Sequence, residues 1–340
     1  CFPPGALENS MAIDLPHHSK RFAPRAWRNL IRAVRGVPPL MDRFGGREVE
    51  ISRFLHGKHF DLIWLEHFWV APYATLFRPH GEKLLLDLHN IESQLFHSLI
   101  PLEPAGYRPL LRRFAQCSAA MEQRYLPYFD HVLVTSDADA ARAAALGARN
   151  VVVVPNTIPW QPAPAEERGE SIVFSGNFEY QPNQQALRWF VGQCWPLILR
   201  EIPGLRLRLV GVGIEFAARH TAKALNVDLV GPVPDAVREI AKSLVAVVPL
   251  LAGSGTRLKI LEAWAAGAAV VSTPIGAEGL DAGAGREIEI EGDPISFSRT
   301  VVRIVQNREE RIRLATQARL LYERSYTWTT AQQRLSATGL

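Results

Sequence analysis

The stretch PLLAGSGTRLKILEAWAAGAAVVSTPIGAEGL, residues 249–280, is the clearest indicator of the fold. An apolar strand ends at Pro249, a short glycine loop follows, and a helix begins at about Arg257. Gly267 stands where a helix C-terminal cap is expected, and a second apolar strand comes after it. This order of strand, loop, helix and strand is the repeating unit of a parallel α/β sheet. The apolar positions at helical spacing, which we expect to be buried, are Leu258, Leu261 and Ala265.

The loop that opens this helix is suited to an anion. Its glycines leave backbone N–H groups accessible at a helix start, where the helix dipole also favours negative charge. Arg257 and Lys259 place two cations in the first turn, where cations normally destabilise a helix, so they indicate a counter-anion such as a diphosphate. Glu262 can accept hydrogen bonds from vicinal hydroxyls such as those of a ribose. The alternative is an ordinary loop with a surface Lys259–Glu262 ion pair. The loop residues assigned to the diphosphate are Ser254, Gly255 and Thr256.

The rest of the chain alternates short apolar runs with longer helical patterns, which predicts two α/β blocks with parallel sheets. Between them, PNTIPWQPAPAEERGE is rich in proline and charge and predicts a linker. We expect an N-terminal domain at 1–155, the linker at 156–170, a C-terminal domain at 171–323 and a last helix within 324–340. The predicted strands are 61–65, 83–88, 131–135, 151–154, 171–175, 205–210, 227–230, 244–249 and 269–272. The predicted helices are about 22–35, 106–126, 138–146, 183–200, 215–225, 235–242, 257–266 and 294–323.

The segment 249–280 resembles the nucleotide-sugar signature of retaining glycosyltransferases of family 4, and its GSGTRLKILEA form resembles a bacterial exopolysaccharide-associated sugar transferase subgroup. The family pattern has two glutamates separated by seven residues; Glu262 matches the second, and Ser254 stands at the first. The resemblance implies the GT-B fold of two facing Rossmann-like, doubly wound parallel-sheet domains. It implies a nucleoside diphosphate sugar of UDP or GDP as donor, retention of configuration, no cofactor and no metal. It also implies that the last helix crosses back to the N-terminal domain.

Two further glycine turns agree with this resemblance. The segment VFSGNFEYQPNQQALRWFVGQCWPLI, 173–198, resembles the opening of the subgroup's C-terminal domain, with Gly176 and Asn177 in the loop after a strand. The run LVGVG carries Gly211 and Gly213 and resembles the family's base-side loop. The alternatives for this run are an ordinary turn or an incomplete dinucleotide fingerprint. The backbone positions that the resemblance adds on the base side lie near Val230 and Val233.

The N-terminal half offers one candidate catalytic residue. The segment LLLDLHNIESQLF, 84–96, places His89 just after a predicted strand. The resemblance implies a histidine here that contacts the donor β-phosphate or the acceptor, and an imidazole can donate to a phosphate oxygen or move a proton near neutral pH. The alternative is a structural histidine that fixes the loop. Neither the histidine spacings nor Asp137-Ala-Asp139, which we expect to lie at a helix cap with Ser136, predicts a metal site.

A basic helix is predicted over 20–35. No acidic residue occurs between Leu15 and Met41. The arginines recur on one face and apolar residues lie toward another, which suits an anionic membrane surface at about 1 kcal/mol per cation. A solvated helix face is the alternative. The arginines are Arg25, Arg28, Arg32 and Arg35, and the apolar residues are Trp27, Leu30, Ile31 and Val34.

Composition excludes several classes of protein. The 340 residues, 47% hydrophobic and 21% charged, are typical of a globular protein of about two domains. The balance of 38 basic and 34 acidic residues is too mild to indicate nucleic-acid binding. The scattered Cys1, Cys117 and Cys194 exclude a disulfide framework and a cysteine zinc site and favour a reducing compartment. Since no membrane-spanning or signal-peptide pattern occurs, we expect a cytoplasmic protein, peripheral on the inner membrane face if the basic helix binds lipid.

The beginning of the chain departs from the resemblance. A GT-B N-terminal domain starts with a strand, a glycine loop, a helix and a second strand, and CFPPG is similar to the end of that second strand. We therefore expect an incomplete N-terminal domain that lacks its first strand, loop and helix and has an open sheet edge with unpaired backbone groups. A mature lipoprotein, which also begins with cysteine, is the alternative.

These observations predict a glycosyltransferase of hexosyltransferase type, acting on a lipid-linked or glycan acceptor in exopolysaccharide or cell-envelope glycan synthesis. Arg257 and Lys259 would stabilise the departing diphosphate. Two other functions stay open. One is a non-transferring GT-B protein, an epimerase or a sugar-binding relic, which the serine at position 254 favours. The other is a nicotinamide oxidoreductase that uses the LVGVG turn.

Overall fold

The structure is a computed structural model that describes residues 10–16, 22–253 and 257–337, without the side chains of Phe22 and Ala337. Contacts divide the chain into two compact units: residues 1–134 with 140–152, and residues 135–139 with 153–340. The predictions made for Cys1 and for Ser254, Gly255 and Thr256 lie outside the described residues. No helix in the described ranges is long and apolar enough to cross a membrane.

The first unit is built on a four-stranded sheet in the order β1–β2–β3–β4. β1 pairs in parallel with β2, and β2 pairs in parallel with β3, so the carboxyl ends of these strands meet at one edge of the sheet. Glu66 on β1 is the register partner of Asp87 on β2. The strands are β1 (Phe60–Glu66), β2 (Gly81–Leu88), β3 (His131–Val134) and β4 (Val151–Val153). The helices are α1 (Phe22–Arg35), α2 (Pro39–Phe44), α3 (Glu48–Leu55), α4 (Ala74–Phe77), α5 (Glu92–Leu99), α6 (Arg108–Tyr125) and α7 (Asp137–Ala145).

β1 lies at the edge of this sheet, and its Leu62 and Trp64 side chains are 37% and 40% exposed. The described residues before Phe60 form α1, α2 and α3 and contain no strand. The outer backbone groups of β1 therefore face no other strand of the part of the chain that the structure describes.

The second unit is built on a six-stranded sheet in the order β10–β9–β8–β5–β6–β7, with parallel pairing throughout. This is the doubly wound Rossmann order, and the direction of strand addition reverses between β5 and β8. In such sheets, ligands bind beyond the carboxyl ends of the strands at the reversal point. The strands are β5 (Ser171–Ser175), β6 (Arg206–Val210), β7 (Val227–Gly231), β8 (Val245–Val248), β9 (Ala269–Ser272) and β10 (Glu289–Ile290).

The helices of the second unit pack around a continuous core of buried valine, leucine, isoleucine and aromatic side chains. Two long predicted helices are each interrupted. The helix predicted at 183–200 consists of α8, a π-turn at Phe190–Cys194, and α9. The helix predicted at 294–323 is divided at Asn307, whose side chain caps a new helix by accepting from the Glu310 N–H. The helices are α8 (Gln181–Trp189), α9 (Trp195–Glu201), α10 (Ile214–Thr221), α11 (Ala236–Ala241), α12 (Leu258–Ala265), α13 (Pro274–Ala277), α14 (Pro294–Gln306), α15 (Arg308–Ser325) and α16 (Trp328–Ala337).

The proline-rich segment predicted as a linker is anchored on the second unit. Arg168 donates hydrogen bonds to the carbonyl oxygens of Ser243, Ala266 and Gly267, which lie at the ends of α11 and α12. Ile158 donates from its backbone N–H to the Tyr326 carbonyl at 3.1 Å. A guanidinium that binds three carbonyls at two helix ends fixes the segment without any regular secondary structure.

Candidate functional site

Two glycine turns form one backbone layer at the carboxyl ends of β5 and β6. Gly176, Gly211 and Gly213 have φ values of 152°, 133° and 78°, which side-chain-bearing residues rarely adopt. A Cβ on Gly211 would lie 1.9 Å from the Gly176 carbonyl oxygen, and one on Gly213 would lie 2.6 Å from the Glu179 backbone nitrogen. The Gly176 N–H donates to the Val210 carbonyl at 2.9 Å. Glycine is required here because the two turns touch through their backbones.

Lys259 reaches this layer from α12. Its ammonium group donates a 2.7 Å hydrogen bond to Oδ1 of Asn183, and a Cβ on Gly176 would lie 2.9 Å from the same nitrogen. Burial and repulsion from Arg257 lower the pKa of Lys259 to about 7, although Glu262 opposes the shift. An anion placed beside this amine would favour its protonated form.

Arg257 immediately precedes α12. Its Nη2 donates to the Ile275 carbonyl, beyond β9, at 3.3 Å. Gly253 has φ 136°, and a Cβ there would lie 2.7 Å from Nη2. Burial lowers the pKa of Arg257, while Tyr180 and Glu278 act in the opposite direction. Guanidinium groups stay protonated in proteins, so we treat Arg257 as charged at neutral pH.

The buried face of α12 differs from the prediction at one residue. Leu261 and Ala265 are buried as predicted, but Leu258 is 47% exposed. The fully buried side of the helix instead includes Ile260 and Trp264. Leu258 is the first residue of the helix, and its side chain lies at the end of the helix and not over the core.

Glu262 lies on the same helix, one turn after Lys259. Burial raises the pKa of its carboxyl group, and the charge of Lys259 partly offsets this. Lys259 donates to Asn183 and forms no ion pair with Glu262 in the described part of the chain, so the predicted alternative of a surface Lys259–Glu262 ion pair is wrong. The assignment of Glu262 to a ribose stays a prediction.

The base-side positions lie on the same edge of the sheet. Val230 is in β7, and Val233 follows that strand; both side chains are half-buried and pack against the core. The Gly211 N–H donates to the Gly231 carbonyl at 2.7 Å, which fixes the glycine turn beside β7. The base-binding role of both valines stays a prediction.

Of the predicted residues of the second unit, Lys259 meets the Gly176–Asn177 turn beside the β5–β8 reversal point, and the Gly211 turn lies against that turn. The Asn183 side chain joins two of them, because its Nδ2 donates to the Asn177 carbonyl at 2.8 Å while its Oδ1 accepts from Lys259. Two cations beside exposed turns of glycine backbone can bind a diphosphate. Asn183 was not among the predicted site residues; its place at a helix start after the Gly176 loop was the only sequence signal.

In the first unit, His89 belongs to a cluster at the carboxyl ends of β1 and β2. Its Nε2 lies 3.3 Å from Glu66 Oε2, and its ring centre lies 4.2 Å from that of His67. The His67 ring also stacks on that of Trp69, again with ring centres 4.2 Å apart. Burial lowers the pKa of His67, His89 lowers it further, and Glu66 raises it. Sequence reasoning missed Glu66, His67 and Trp69, whose EHFW run at a strand end was the available signal.

Behind this cluster lie two buried carboxyl groups. Glu92 is 5% exposed and accepts a 2.9 Å hydrogen bond from Nε1 of Trp69. Burial raises the pKa of Glu92 to about 7, despite the Trp69 bond that lowers it, and Glu122 raises it too. Burial also raises the pKa of Glu122, whose Oε1 accepts from the Ser93 N–H. The helix cap predicted at Ser136 is confirmed, since the Asp139 N–H donates to Ser136 Oγ at 3.1 Å.

Two family models match this chain. Residues 9–157 match the family described as "Glycosyl transferase 4-like domain", and residues 169–307 match the family described as "Glycosyl transferases group 1". A Klebsiella pneumoniae protein described as an uncharacterized 44.6 kDa protein in the cps region is 22% identical over 270 residues, covering 77% of this chain and 68% of the relative.

Several solved structures share the fold. HepE of Anabaena, in complex with UDP and glucose, gives a TM-score of 0.65 at 16% identity over 87% of this chain and 83% of its own. Sucrose-phosphate synthase of Thermosynechococcus elongatus gives a TM-score of 0.71 at 15% identity, over 96% of this chain and 85% of its own. TarM of S. aureus, in a complex that includes UDP, gives 0.61 at 13% identity over 76% of this chain; the chain spans 50% of TarM's length.

The order of the two matched domains agrees with the two parallel-sheet units, and solved structures that cover most of the chain share its fold. Together they place this chain among the glycosyltransferases of the GT-B fold.

Proposed function

We propose that this chain is a retaining hexosyltransferase that uses a nucleoside diphosphate sugar as donor. The observation that carries the proposal is the position of Lys259 and Arg257. Both lie at the start of α12, and Lys259 contacts Asn183 and the Gly176 turn at the point where the strand order of the second sheet reverses. This is where a Rossmann-type sheet presents backbone donors to phosphate.

In this proposal, catalysis is electrostatic. The bond between the sugar and the diphosphate breaks, and the leaving diphosphate gains charge that Arg257 and Lys259 neutralise. A fixed guanidinium and a partly desolvated ammonium need little reorganisation for this task. Glu262 orients the ribose by accepting from its hydroxyls, and His89 contacts the β-phosphate or the acceptor.

The donor base is proposed as uracil or guanine. Because the HepE and TarM complexes contain UDP, we favour UDP over GDP as the nucleotide of the donor. The role in exopolysaccharide synthesis is supported by the cps-region relative. Retention of configuration rests on the family resemblance.

The acceptor is proposed as a lipid-linked or glycan molecule. A groove of about 440 Å³ in the first unit supports the lipid-linked form, because its lining is mostly apolar. Glu66 also lies in the wall of this groove. Its apolar lining includes Ile13, Leu15, Trp64, Val70 and Phe77.

A membrane surface is proposed as a second partner, through α1. This helix is turned with its polar side inward: Asn29 and Arg32 are buried, and Arg32 binds Asp42 at 2.9 Å. Its apolar side faces outward, with Trp27 64% and Val34 76% exposed. Leu30 and Ile31 are exposed on the same side, and Arg25, Arg28 and Arg35 are the remaining arginines of the helix. An apolar face with basic residues around it suits the interface of an anionic bilayer.

Flotation with lipid vesicles tests this partner. Val34→Glu is expected to abolish binding to vesicles with anionic lipid, whereas Val49→Glu, at another exposed valine of the same unit, is expected to leave it intact. Binding should weaken as ionic strength rises. Equal loss in both variants, or binding that ignores salt, would contradict membrane docking through α1.

Nucleotide release from a panel of UDP- and GDP-sugars tests the transferase. The expected result is release with one donor, stimulated by the acceptor and lost in Arg257→Ala. A chain that binds nucleotides but turns over no donor would be a sugar-binding relic, and one that interconverts sugars without releasing nucleotide would be an epimerase. A shift in NADH fluorescence on mixing would instead favour the oxidoreductase.

A further inference from the structure

Three metal-ligand side chains meet in the first unit although they are far apart in the sequence. Glu66 ends β1, His67 follows it, and His89 follows β2. One ligand atom from each lies within 4.8 Å of the other two. They meet because β1 and β2 are parallel neighbours in register, with Glu66 opposite Asp87.

The spacing of these atoms is close to that of a coordinated ion. Late first-row divalent metals hold imidazole nitrogen and carboxylate oxygen at about 2.0–2.2 Å, so their ligand atoms lie roughly 3.3 Å apart. Nε2 of His89 is already 3.3 Å from Glu66 Oε2. The third ligand atom, on His67, lies within 4.8 Å of the other two, so binding an ion requires it to move closer to them.

The cluster is held in place by its surroundings. The His67 backbone has φ 68°, which is uncommon for a residue other than glycine, and its N–H donates to the Asp87 carbonyl at 3.0 Å. Its ring stacks on Trp69 and also contacts the His89 ring, and Trp69 in turn donates to Glu92. Strained backbone that is fixed on several sides is typical of functional positions.

The charge of the site also suits a cation. Glu66 and the neighbouring Asp87 contribute carboxyl groups, and no lysine or arginine forms an ion pair with either of them within the described ranges. Two imidazoles and one carboxylate, with part of the coordination sphere left to solvent, form a ligand set that binds zinc, cobalt or nickel better than magnesium or calcium.

We propose that Glu66, His67 and His89 form a site for a late first-row divalent cation. The site goes beyond the proposed transferase function and does not depend on it, because metal binding is measured without donor or acceptor. Where both hold, the bound ion engages His89 and competes with the role proposed for it toward the donor or acceptor. Added zinc would then inhibit transfer, and a chelator would restore it.

Calorimetric titration of the chelator-treated full chain, without a histidine tag, with Co²⁺ and Zn²⁺ tests the proposal. The expected result is one ion per chain, with visible Co²⁺ absorption bands of a site of low coordination number. Glu66→Gln and His67→Asn should each weaken binding at least about tenfold. Asparagine is chosen because it keeps a planar polar side chain at position 67, where φ is 68° and ψ is 141°.

The matched control is His59→Ala, an exposed histidine of the same unit, which should leave the affinity unchanged. Imidazole NMR of the Co²⁺-loaded chain should show paramagnetic broadening of the His67 and His89 signals first. Thermal unfolding of each variant separates lost folding from lost ligands. Binding that survives both Glu66→Gln and His67→Asn in folded protein, or broadening that appears first at other histidines, would overturn the proposal.

Discussion

The ammonium group of Lys259 lies 2.7 Å from the side-chain oxygen of Asn183, although 76 positions separate the two residues in the chain. Lys259 lies in the first turn of α12 after β8, and Asn183 lies in the first turn of α8 after β5. β5 and β8 are neighbours in the sheet, so this hydrogen bond crosses the point where the strand order reverses. A neutral amide accepts the bond but adds no charge, which leaves the positive charge of Lys259 available to an anion.

Nucleotide binding should therefore depend on pH through Lys259. Its pKa is lowered to about 7 by burial and by Arg257, so the free protein loses this proton as pH rises through 7. A diphosphate favours the protonated amine, and UDP affinity should fall by up to about tenfold per pH unit above 7. Calorimetry of UDP binding between pH 6 and 9, in buffers of different ionisation enthalpy, should show proton uptake above pH 7.

Lys259→Met supplies the control for this dependence. It keeps the length of the side chain and removes the charge, so UDP should bind more weakly at pH 6 and with little pH dependence. If the variant retained the full proton uptake, the titrating group would be another residue.

Arg257→Lys should reduce activity more than its retained charge suggests. The guanidinium of Arg257 donates to the Ile275 carbonyl at 3.3 Å, and a guanidinium can still present further donors to a diphosphate, whereas an ammonium lacks this forked geometry. We expect kcat/KM for the donor to fall roughly 100-fold, mostly in kcat. Steady-state kinetics measure this, with Arg200→Lys, at an exposed arginine, as a control that should change nothing. An equal loss of kcat/KM in both variants would show that Arg257 has no specific role in the reaction.

The sheets were predicted well because their strands are apolar runs that sequence periodicity reveals. Nine of the ten strands found in the described residues were predicted, and β10 was missed because its two residues cannot establish a period. The break between α14 and α15 had a readable signal, since Asn307 followed three residues later by Glu310 is a helix-capping pattern. A continuous apolar pattern on both sides of Asn307 concealed it.

The site was only partly predictable, because its contacts depend on which strands are neighbours. The phosphate-side cations were found from one continuous segment, whereas Asn183 needed the pairing of β5 with β8. The orientation of α1 could not be predicted from its own residues. Asp42 on α2 turns Arg32 inward, and the apolar residues of the helix then face solvent.

Gly211→Ala should be severely destabilising. The new Cβ would lie 1.9 Å from the Gly176 carbonyl oxygen, a backbone atom that cannot move away independently, and φ 133° disfavours alanine as well. We expect a loss of about 2–4 kcal/mol in the free energy of unfolding, together with loss of UDP binding. Gly192→Ala is the matched control, because a Cβ there meets no atom within 4 Å and the residue is exposed. Urea unfolding should separate the two; similar stabilities would show that the turns can move apart.

Glu92→Gln should stabilise the protein in a pH-dependent way. Burial and Glu122 raise the pKa of Glu92 from 4.5 to about 7, so the folded state holds a proton that the unfolded state releases between these values. The stability linked to this proton is complete below pH 4.5 and is lost as pH rises through 7, by about 3 kcal/mol in total. Glutamine keeps an oxygen for the Trp69 N–H and cannot ionise. The free energy of unfolding of the variant should therefore rise relative to that of the wild type between pH 5 and pH 8. Urea unfolding of both proteins at pH 5 and at pH 8 measures the difference in their free energies of unfolding. A constant offset between the two proteins would mean that Glu92 does not titrate in this range.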